Sequence, residues 1–329
     1  MPHIVVEDLV KAFRIREPHT GRFAGLRNAF TPKHREVRAL DSVSFDLERG
    51  ELIAYVGPNG AGKSTTIKIL SGILLPTSGR CEVGGIVPFR ERKKHVARIG
   101  VVFGQRTQLF WDLPLSESFA LIRAIYRVPH ARYQELLRTL IEELELGAFL
   151  SMPVRQLSLG QRMRGELAAS LIHEPELLFL DEPTIGLDAT SKLSVRRFIK
   201  QLNRTRQTTI ILTTHDFDDI EAVCDRVLVV AKGKVLCDGS LDELRKTVSR
   251  DRHLTVDFAD PNVDLEALPA RTLKREGSRV TLSFDPEIIS PAALISQVAA
   301  HHAVRDLFVE HPPIEEIVSE LYRQIEARA

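Results

Sequence analysis

Residues 57–65 read Gly57-Pro58-Asn59-Gly60-Ala61-Gly62-Lys63-Ser64-Thr65, and this stretch decides the fold. It has the spacing G-x-x-x-x-G-K-[ST] of a phosphate-binding loop. The run ELIAYV (51–56) before it reads as a short buried strand, and TTIKILSG (65–72) after it reads as a helix that ends on a glycine. Strand, glycine-rich turn and helix form the context that the motif needs.

The chemistry of this loop follows from its residue types. Glycines allow the backbone to curl around a phosphate, so that N–H groups and the helix N-terminus face the anion. We expect Lys63 to reach the β- and γ-phosphates and the Ser64 hydroxyl to bind Mg²⁺. The alternative is a chance match, which a chain of this length shows about once in a hundred. The flanking strand and helix make that alternative rarer still.

The whole chain has 329 residues and a net charge of +1. This length suggests two domains, and the nearly neutral charge gives no bulk electrostatic argument for nucleic acid. The three cysteines form neither a C-x-x-C motif nor a metal-binding spacing, which fits a reduced cytosolic protein. No apolar run approaches the ~18 residues needed to cross a bilayer. Any membrane role is therefore expected to come through a partner.

A second phosphate-handling element lies at 177–182, where the apolar run LLFL is followed by Asp181 and Glu182. This pattern predicts two carboxylates at the carboxyl end of a sheet strand, where ligands lie in doubly wound sheets. We expect Asp181 to hold Mg²⁺ through water and Glu182 to polarise the attacking water. The alternative, a surface acidic pair, fits poorly directly after four apolar residues.

Buried strands alternate with helical segments through most of the chain, which predicts an α/β fold with a largely parallel sheet over residues 1–245. Around residue 250 the pattern changes to strand-like alternation at 253–258 and 271–284, followed by helical segments. The sequence therefore predicts a small α+β domain at 250–329. It contains no motif that can be tied to chemistry.

Residues 11–38 are unusually basic, with eight lysines and arginines against two acids. We expect an insertion at about 14–36. It is either a basic, partly amphipathic element that faces lipid headgroups or a partner, or a solvated surface insertion.

Together with QLSLGQ at 156–161, these features resemble the ATP-binding subunits of ABC transporters over about residues 3–245. The matching stretches, in chain order, are GPNGAGKST (57–65), Gln105 after a strand, LSLGQ (157–161), LLFLDEP (177–183), GLD (186–188) and His215 after IILTT. The resemblance implies a P-loop NTPase core with a helical subdomain at about 106–160 and an antiparallel β-subdomain on the N-terminal side.

The resemblance also implies roles for individual residues. Phosphates and Mg²⁺ are implied to bind at Gly57, Pro58, Asn59, Gly60, Ala61, Gly62, Lys63, Ser64 and Thr65, with Asp181 and Gln105 also at the metal. Glu182 is implied to be the catalytic base, His215 to contact the γ-phosphate, and Gln105 to sense Mg²⁺ and the attacking water. Ser158, Gly160 and Gln161 are implied to close over ATP held by a second copy, and Asp188 to couple the two sites.

The chain departs from the family pattern at two positions. Leu159 stands where the signature usually has glycine, so closure over ATP could be weaker. Phe13 stands where a tyrosine usually stacks on adenine. A phenylalanine ring can still stack, at about 1–3 kcal/mol by analogy with bases on aromatic side chains. The alternative for Phe13 is a plain core residue.

The sequence therefore predicts an ATPase subunit that binds ATP and Mg²⁺, dimerises head-to-tail on ATP and drives a separate multi-span permease. It is expected to lie peripherally on the cytoplasmic face of the inner membrane, with no nucleic acid partner. The C-terminal domain and single cassette resemble the drug-resistance (daunorubicin-type) exporter ATPases, which implies export. Two alternatives are a soluble ABC ATPase that acts on ribosomes or DNA, and a regulatory subunit that barely hydrolyses ATP.

Overall fold

The computed structural model describes residues 2–17, 33–104, 106–248, 251–265 and 267–326. They divide into two compact units, Met1–Asp238 and Gly239–Ala329. In chain order, the elements that begin in the first unit are β1 (Ile4–Glu17), β2 (Lys33–Leu47), β3 (Leu52–Val56), α1 (Lys63–Leu70), β4 (Ser78–Val83), α2 (Arg92–Val96), β5 (Ile99–Phe103), α3 (Leu115–Tyr126), α4 (His130–Glu143), α5 (Leu159–Leu171), β6 (Leu177–Asp181), α6 (Ala189–Arg206), β7 (Thr209–Thr213), α7 (Phe217–Val223), β8 (Arg226–Ala231) and β9 (Lys234–Ser240).

The central sheet has the strand order β5-β6-β7-β3-β8-β9 within the described residues. Strands β5, β6, β7, β3 and β8 pair in parallel. Every residue of β3 and of β7 is buried, as is typical of parallel strands covered on both faces by helices. The prediction of an α/β fold with a parallel sheet is confirmed.

The parallel arrangement brings several strand ends to one edge of this sheet. Phe103 pairs with Asp181, Asp181 with Thr213, and Thr213 with Tyr55. Because all four strands run in the same direction, the segments that follow them emerge side by side. The phosphate-binding loop follows one of these strands, and the Asp-Glu pair ends another.

A smaller antiparallel sheet, ordered β2-β1-β4, lies in the N-terminal part of the chain. The pairing of β1 with β2 continues as far as Glu17 opposite Lys33. Both described ends of the insertion predicted at 14–36 are therefore strand. The centre of that insertion, residues 18–32, lies outside the described residues.

Helices α3, α4 and α5 form the helical part of the first unit, between β5 and β6 in the chain. The glycine at position 165 allows α5 to pack closely on its neighbours. A Cβ atom there would lie 2.9 Å from Leu115 Cδ1 and 3.2 Å from Leu109 Cδ1. Helix α5 is consequently held against the start of α3 and against the segment that leads from β5.

The second unit is a small α+β domain. Its elements are α8 (Leu241–Val248), β10 (Arg252–Phe258), β11 (Arg271–Glu276), β12 (Arg279–Phe284), α9 (Pro291–His301), β13 (Val304–Glu310) and α10 (Ile314–Glu326). The strands form an antiparallel sheet ordered β11-β12-β10-β13. Leu294 and Val298 of α9 join a buried cluster with residues of β10 and β12.

The two units separate a few residues before the boundary predicted at 245–250. Helix α8 groups with the second unit, where it packs against α10. No helix in the described ranges is long and apolar enough to span a bilayer.

Candidate nucleotide site

The phosphate-binding loop connects β3 to α1, and two of its glycines have no room for a side chain. A Cβ atom on Gly57 would lie 2.3 Å from the carbonyl oxygen of Val230. On Gly62 it would lie 2.6 Å from the carbonyl oxygen of Ala39, and Gly62 also has a φ of +105°. No side chain caps the N-terminus of α1. Its first N–H groups are therefore directed towards a ligand rather than a cap.

Lys63, the first residue of α1, folds back over this loop. Its Nζ atom donates hydrogen bonds to the carbonyl oxygens of Gly57, at 2.6 Å, and Pro58, at 3.3 Å. Burial lowers the pKa of Lys63, and the nearby charges of Glu182 and Asp181 oppose that shift. The ammonium group thus lies between the loop and the two carboxylates, where an anionic ligand would share it.

Glu182 and His215 form a hydrogen-bonded pair at the ends of β6 and β7. The Nδ1 atom of His215 lies 2.7 Å from Oε2 of Glu182. A carboxylate can only accept hydrogen bonds, so Nδ1 carries the proton and the imidazole orients the carboxylate. Glu182 has a φ of +58°, which is uncommon for a residue with a side chain. Such backbone strain is concentrated at functional sites.

Asp181 is held separately from this pair. The hydroxyl of Thr213 donates a hydrogen bond of 2.5 Å to Oδ1 of Asp181. Asp181 also lines the cavity that contains the phosphate-binding loop. Asp181 and Glu182 are neighbours in sequence, yet their carboxylates have different hydrogen-bond partners, Thr213 and His215.

These groups line one cavity of about 860 Å³. Its walls are formed by Ala39, Gly57, Pro58, Asn59, Gly60, Ala61, Gly62, Lys63, Ser64, Thr65, Lys68, Ile73, Phe103, Gly104, Arg106, Asp181, Glu182, Ile185 and His215. The hydroxyl of Ser64 and the carboxylate of Asp181 offer the hard oxygen ligands that Mg²⁺ prefers. The donor set therefore fits a magnesium nucleotide, with the phosphates at the glycine loop.

The signature residues lie elsewhere in the chain. Ser158 and Gln161 form a capping box at the start of α5: the hydroxyl of Ser158 accepts from the Gln161 N–H, and the Gln161 side chain accepts from the Ser158 N–H. A Cβ atom on Gly160 would lie 2.4 Å from Oγ of Ser191. None of these signature residues lines the cavity of its own chain.

Asp188 is the N-cap of α6 and lies near the signature. Its carboxylate accepts hydrogen bonds from the backbone N–H and the hydroxyl of Ser191, at 2.9 and 2.7 Å. These hydrogen bonds lower its pKa. Because Gly160 packs against the same serine, the beginnings of α5 and α6 are in direct contact.

Of the two remaining predicted residues, the structure describes Phe13 but not Gln105. Phe13 lies on β1 opposite Val37, and both are 37% exposed, so the alternative of a plain core residue is wrong. The ammonium of Lys11 lies 5.1 Å from the centre of the Phe13 ring. Gln105 is outside the described residues, although Gly104 and Arg106 on either side of it line the cavity.

A buried carboxylate behind the site was not anticipated from the sequence. Asp219 is 1% exposed and accepts hydrogen bonds from Nε of Arg196, at 2.5 Å, from the hydroxyl of Thr214, at 3.1 Å, and from the hydroxyl of Thr184. Thr214 directly precedes His215. Two of the partners, Thr184 and Arg196, lie 35 and 23 positions from Asp219, so no local pattern indicates this cluster.

Comparisons with known proteins agree with this geometry. The model of the family described as ABC transporter matches residues 40–185. The ABC transporter ATP-binding protein NatA of Bacillus subtilis is 32% identical over 215 residues, which cover 65% of this chain and 87% of NatA. The chain belongs to this family.

Other relatives of this ABC ATPase carry names that refer to drug resistance. The linearmycin resistance ATP-binding protein LnrL of Bacillus subtilis is 30% identical over 284 residues, which cover 84% of this chain and 90% of LnrL. The daunorubicin resistance ATP-binding protein DrrA3 of Streptomyces coeruleorubidus is 37% identical over 220 residues, which cover 67% of this chain and 69% of DrrA3. The predicted resemblance to drug-resistance ABC ATP-binding proteins is confirmed.

Solved structures show the same fold. The structure of an ATP-binding subunit of an ABC transporter matches with a TM-score of 0.61 and 26% identity, over 74% of this chain and 92% of the other. The ATP-binding cassette MJ0796, solved as a dimer bound to ADP and Pi, matches with a TM-score of 0.60 and 23% identity. The match covers 72% of this chain and 98% of MJ0796, and it shows a shared fold. The predicted fold class and ATPase activity are confirmed.

Proposed function

We propose that this ABC ATPase powers an exporter. Two copies bind ATP and Mg²⁺ between them, hydrolyse the ATP and drive a separate multi-span permease from the cytoplasmic face of the inner membrane. The hydrogen bond of 2.7 Å between Glu182 and His215, at the wall of the cavity that contains the glycine loop, carries this proposal. It supplies an oriented base where a nucleotide's terminal phosphate would lie.

The residues divide the chemistry among them. Glu182 accepts a proton from the attacking water, and His215 holds its carboxylate in position. Lys63 and the N–H groups of the glycine loop neutralise charge on the phosphates, with Asn59, Gly60 and Thr65 completing the cradle. Mg²⁺, when bound, supplies further neutralisation of the β- and γ-phosphates, and Ser64, Asp181 and Gln105 would hold it. Positioning and charge account for most of the catalysis, since phosphoryl transfer needs little covalent help.

Two copies are needed because the signature does not reach its own cavity. Ser158, Gly160 and Gln161 lie at the start of α5, and none of them lines the cavity of the same chain. A second copy in head-to-tail orientation brings its signature over the open side of the nucleotide. Leu159 lies beside Gly186 of its own chain, since a Cβ atom on that glycine would lie 2.9 Å from Leu159 Cδ2. Asp188, in contact with the signature through Ser191, transmits closure between the two sites.

The adenine is expected against Phe13. This ring is exposed on β1, and Ala39, close to it on the paired strand β2, lines the cavity. A half-exposed aromatic ring beside a nucleotide cavity offers a stacking surface worth about 1–3 kcal/mol.

A membrane partner is supported by an exposed apolar segment. Phe110, Trp111 and Leu113 are 41%, 49% and 36% exposed, and they follow the strand end that lines the cavity. Aromatic residues exposed in a cluster mark docking surfaces. The permease would therefore dock where nucleotide-dependent movement begins. Export, rather than import, is supported by the resistance proteins among the relatives.

The test of the function is Glu182→Gln in the purified chain. We expect ATP binding to persist and kcat to fall by at least about a hundredfold, since general-base catalysis contributes that much. The variant should also accumulate as an ATP-bound dimer in size-exclusion chromatography. Glu176→Gln, at the other end of the same strand and paired with Arg49 at 3.0 Å, is the matched control and should behave as wild type. Normal hydrolysis by Glu182→Gln would remove that residue from the base role.

A further inference from the structure

Glu166 is a buried carboxylate on the signature helix that the proposed chemistry does not use. It is 4% exposed and lies among the apolar residues Leu167, Ala168 and Ala169, which are at most 1% exposed. Burial raises the pKa of this carboxyl group. A carboxylate is costly to bury unless hydrogen bonds compensate it, so its partners explain why it is there.

All the hydrogen bonds of the Glu166 side chain that the structure describes lead to the segment after β5. Oε1 accepts from the hydroxyl of Thr107, and Oε2 accepts from the backbone N–H of Gln108 at 3.2 Å. The Gln108 side chain in turn donates to the carbonyl oxygen of Glu166 at 3.1 Å. The Thr107 hydroxyl also accepts from the backbone N–H of Leu109 at 3.0 Å. Helix and segment are therefore joined by reciprocal bonds.

This segment has no regular secondary structure of its own. Gly104 and Arg106, near its beginning, line the nucleotide cavity. The segment ends in the exposed aromatic residues Phe110 and Trp111. The bonds to Glu166 lie between these two ends. Since α5 starts at the signature, one carboxylate connects the cavity wall, the signature helix and the exposed aromatic residues.

We propose that Glu166 is a positioning residue that fixes residues 106–111 to the signature helix α5. A change at the cavity wall then moves the signature and the exposed aromatic residues together. This inference rests on the proposed function, because it describes how that site is coupled. Glu166 does not line the cavity. Its loss should therefore affect turnover more than the affinity for ATP.

The chain contains its own probe of this contact. Trp111 is the single tryptophan in the sequence and lies three residues after Gln108. Its ring is 5.7 Å from the guanidinium of Arg162, which belongs to α5. Tryptophan fluorescence therefore reports on the position of the segment relative to the signature helix, and quenching by acrylamide can be measured without nucleotide.

The decisive variant is Glu166→Met, which keeps the length and helix propensity of the side chain but accepts no hydrogen bond. We expect acrylamide quenching of Trp111 to increase by up to about twofold, because a ring that is now 49% exposed becomes free to move. We expect kcat to fall about tenfold, because the groups that act in catalysis lose their positions. We expect KM for ATP to stay within about twofold, because Glu166 does not line the cavity. Glu166→Gln retains an acceptor for the Gln108 N–H and should recover most of the turnover.

Two further variants make the result independent of folding. Thr107→Val alters an exposed residue, removes one of the bonds to Glu166 and should shift quenching and kcat in the same direction by about threefold. Ser170→Ala, on the same helix, removes a bond of 2.8 Å from the Ser170 hydroxyl to the Leu167 carbonyl and should match wild type.

The proposal is overturned if Glu166→Met leaves quenching or kcat unchanged. It is equally overturned if Thr107→Val behaves as wild type while Glu166→Met merely lowers the melting temperature. Should Glu166→Met fail to fold, Thr107→Val alone decides. A wild-type chain that does not hydrolyse ATP would contradict the proposed function, whereas quenching without nucleotide would still decide whether Glu166 holds the segment.

Discussion

Gly57 shows how closely the fold and the site depend on one atom. The space that a Cβ atom would occupy is taken by the carbonyl oxygen of Val230 at 2.3 Å and by the Cβ of Ala61 at 3.0 Å. Neither neighbour can yield easily, since Val230 belongs to the buried strand β8 and Ala61 to the loop itself. Glycine is required here for space, not for a left-handed backbone.

Gly57→Ala should therefore damage both stability and nucleotide binding. We expect the free energy of unfolding to fall by about 1–3 kcal/mol through overpacking. We also expect KM for ATP to rise at least about tenfold, because the loop must move. Gly85→Ala is the control: this glycine has a φ of +73° and nothing within 4 Å of an added Cβ. It should cost about 1–2 kcal/mol in strain with KM unchanged, and equal KM values for both variants would contradict the steric argument.

The residues that the sequence could predict are those in motifs with a fixed spacing. Asp181 and Glu182 come directly after an apolar run, and Lys63 follows a glycine loop of fixed spacing, so the sequence alone indicates their chemistry. Glu166 and Asp219 were missed because their partners lie far along the chain. A hydrogen bond between positions 107 and 166 leaves no periodic or local signal.

At the scale of elements, Asp219 connects the segments that carry Glu182 and His215. Its carboxylate connects Arg196 of α6 with Thr184, after the strand β6, and with Thr214, after the strand β7. Glu182 lies two residues before Thr184, and His215 directly follows Thr214. The relative position of two strand ends therefore depends on a group that does not line the cavity.

Asp219→Asn should loosen this arrangement. The variant leaves Arg196, whose side chain is 14% exposed, beside a neutral amide, so we expect the free energy of unfolding to fall by about 3 kcal/mol. Turnover should decrease as Glu182 loses its orientation, with a smaller change in KM for ATP. Asp218→Asn, at the exposed neighbouring position, should change the free energy of unfolding by less than about 0.5 kcal/mol. Chemical denaturation and steady-state kinetics measure both effects, and parallel behaviour of the two variants would refute the role of the buried carboxylate.

Elements were predictable where burial is complete on both faces. The runs LIAYV, LLFLD and TIILT are β3, β6 and β7, because continuous apolar runs bounded by turns suit buried parallel strands. The long pairing of β1 with β2 was less visible, since charged residues alternate with apolar ones and the charge count dominates. The basic run at 89–98 predicts a helix, and the structure has the short helix α2 within it.

For the whole molecule, the residues of the proposed nucleotide site fall into two groups. The glycine loop, Asp181, Glu182 and His215 line one cavity, whereas the signature lies at the start of α5. The order of the motifs along the chain predicts the glycine loop and the signature. It does not predict the distance between them, because that distance depends on tertiary packing. The proposed function therefore includes a second copy for closure and a partner to receive the movement.

The partner can be tested at the exposed aromatic segment. The affinity-tagged chain, recovered from membranes in mild detergent, should bring a multi-span protein at an equal ratio. Trp111→Glu should lose that partner, because a charge replaces an aromatic anchor at a docking surface. Trp111 is 49% exposed, so the isolated variant should keep its ATP hydrolysis. Leu193→Glu, at a 53% exposed apolar position on α6, is the control and should retain the membrane protein. Ribosomes or DNA-repair proteins in place of a membrane partner would leave the ATPase chemistry standing and remove the transport proposal.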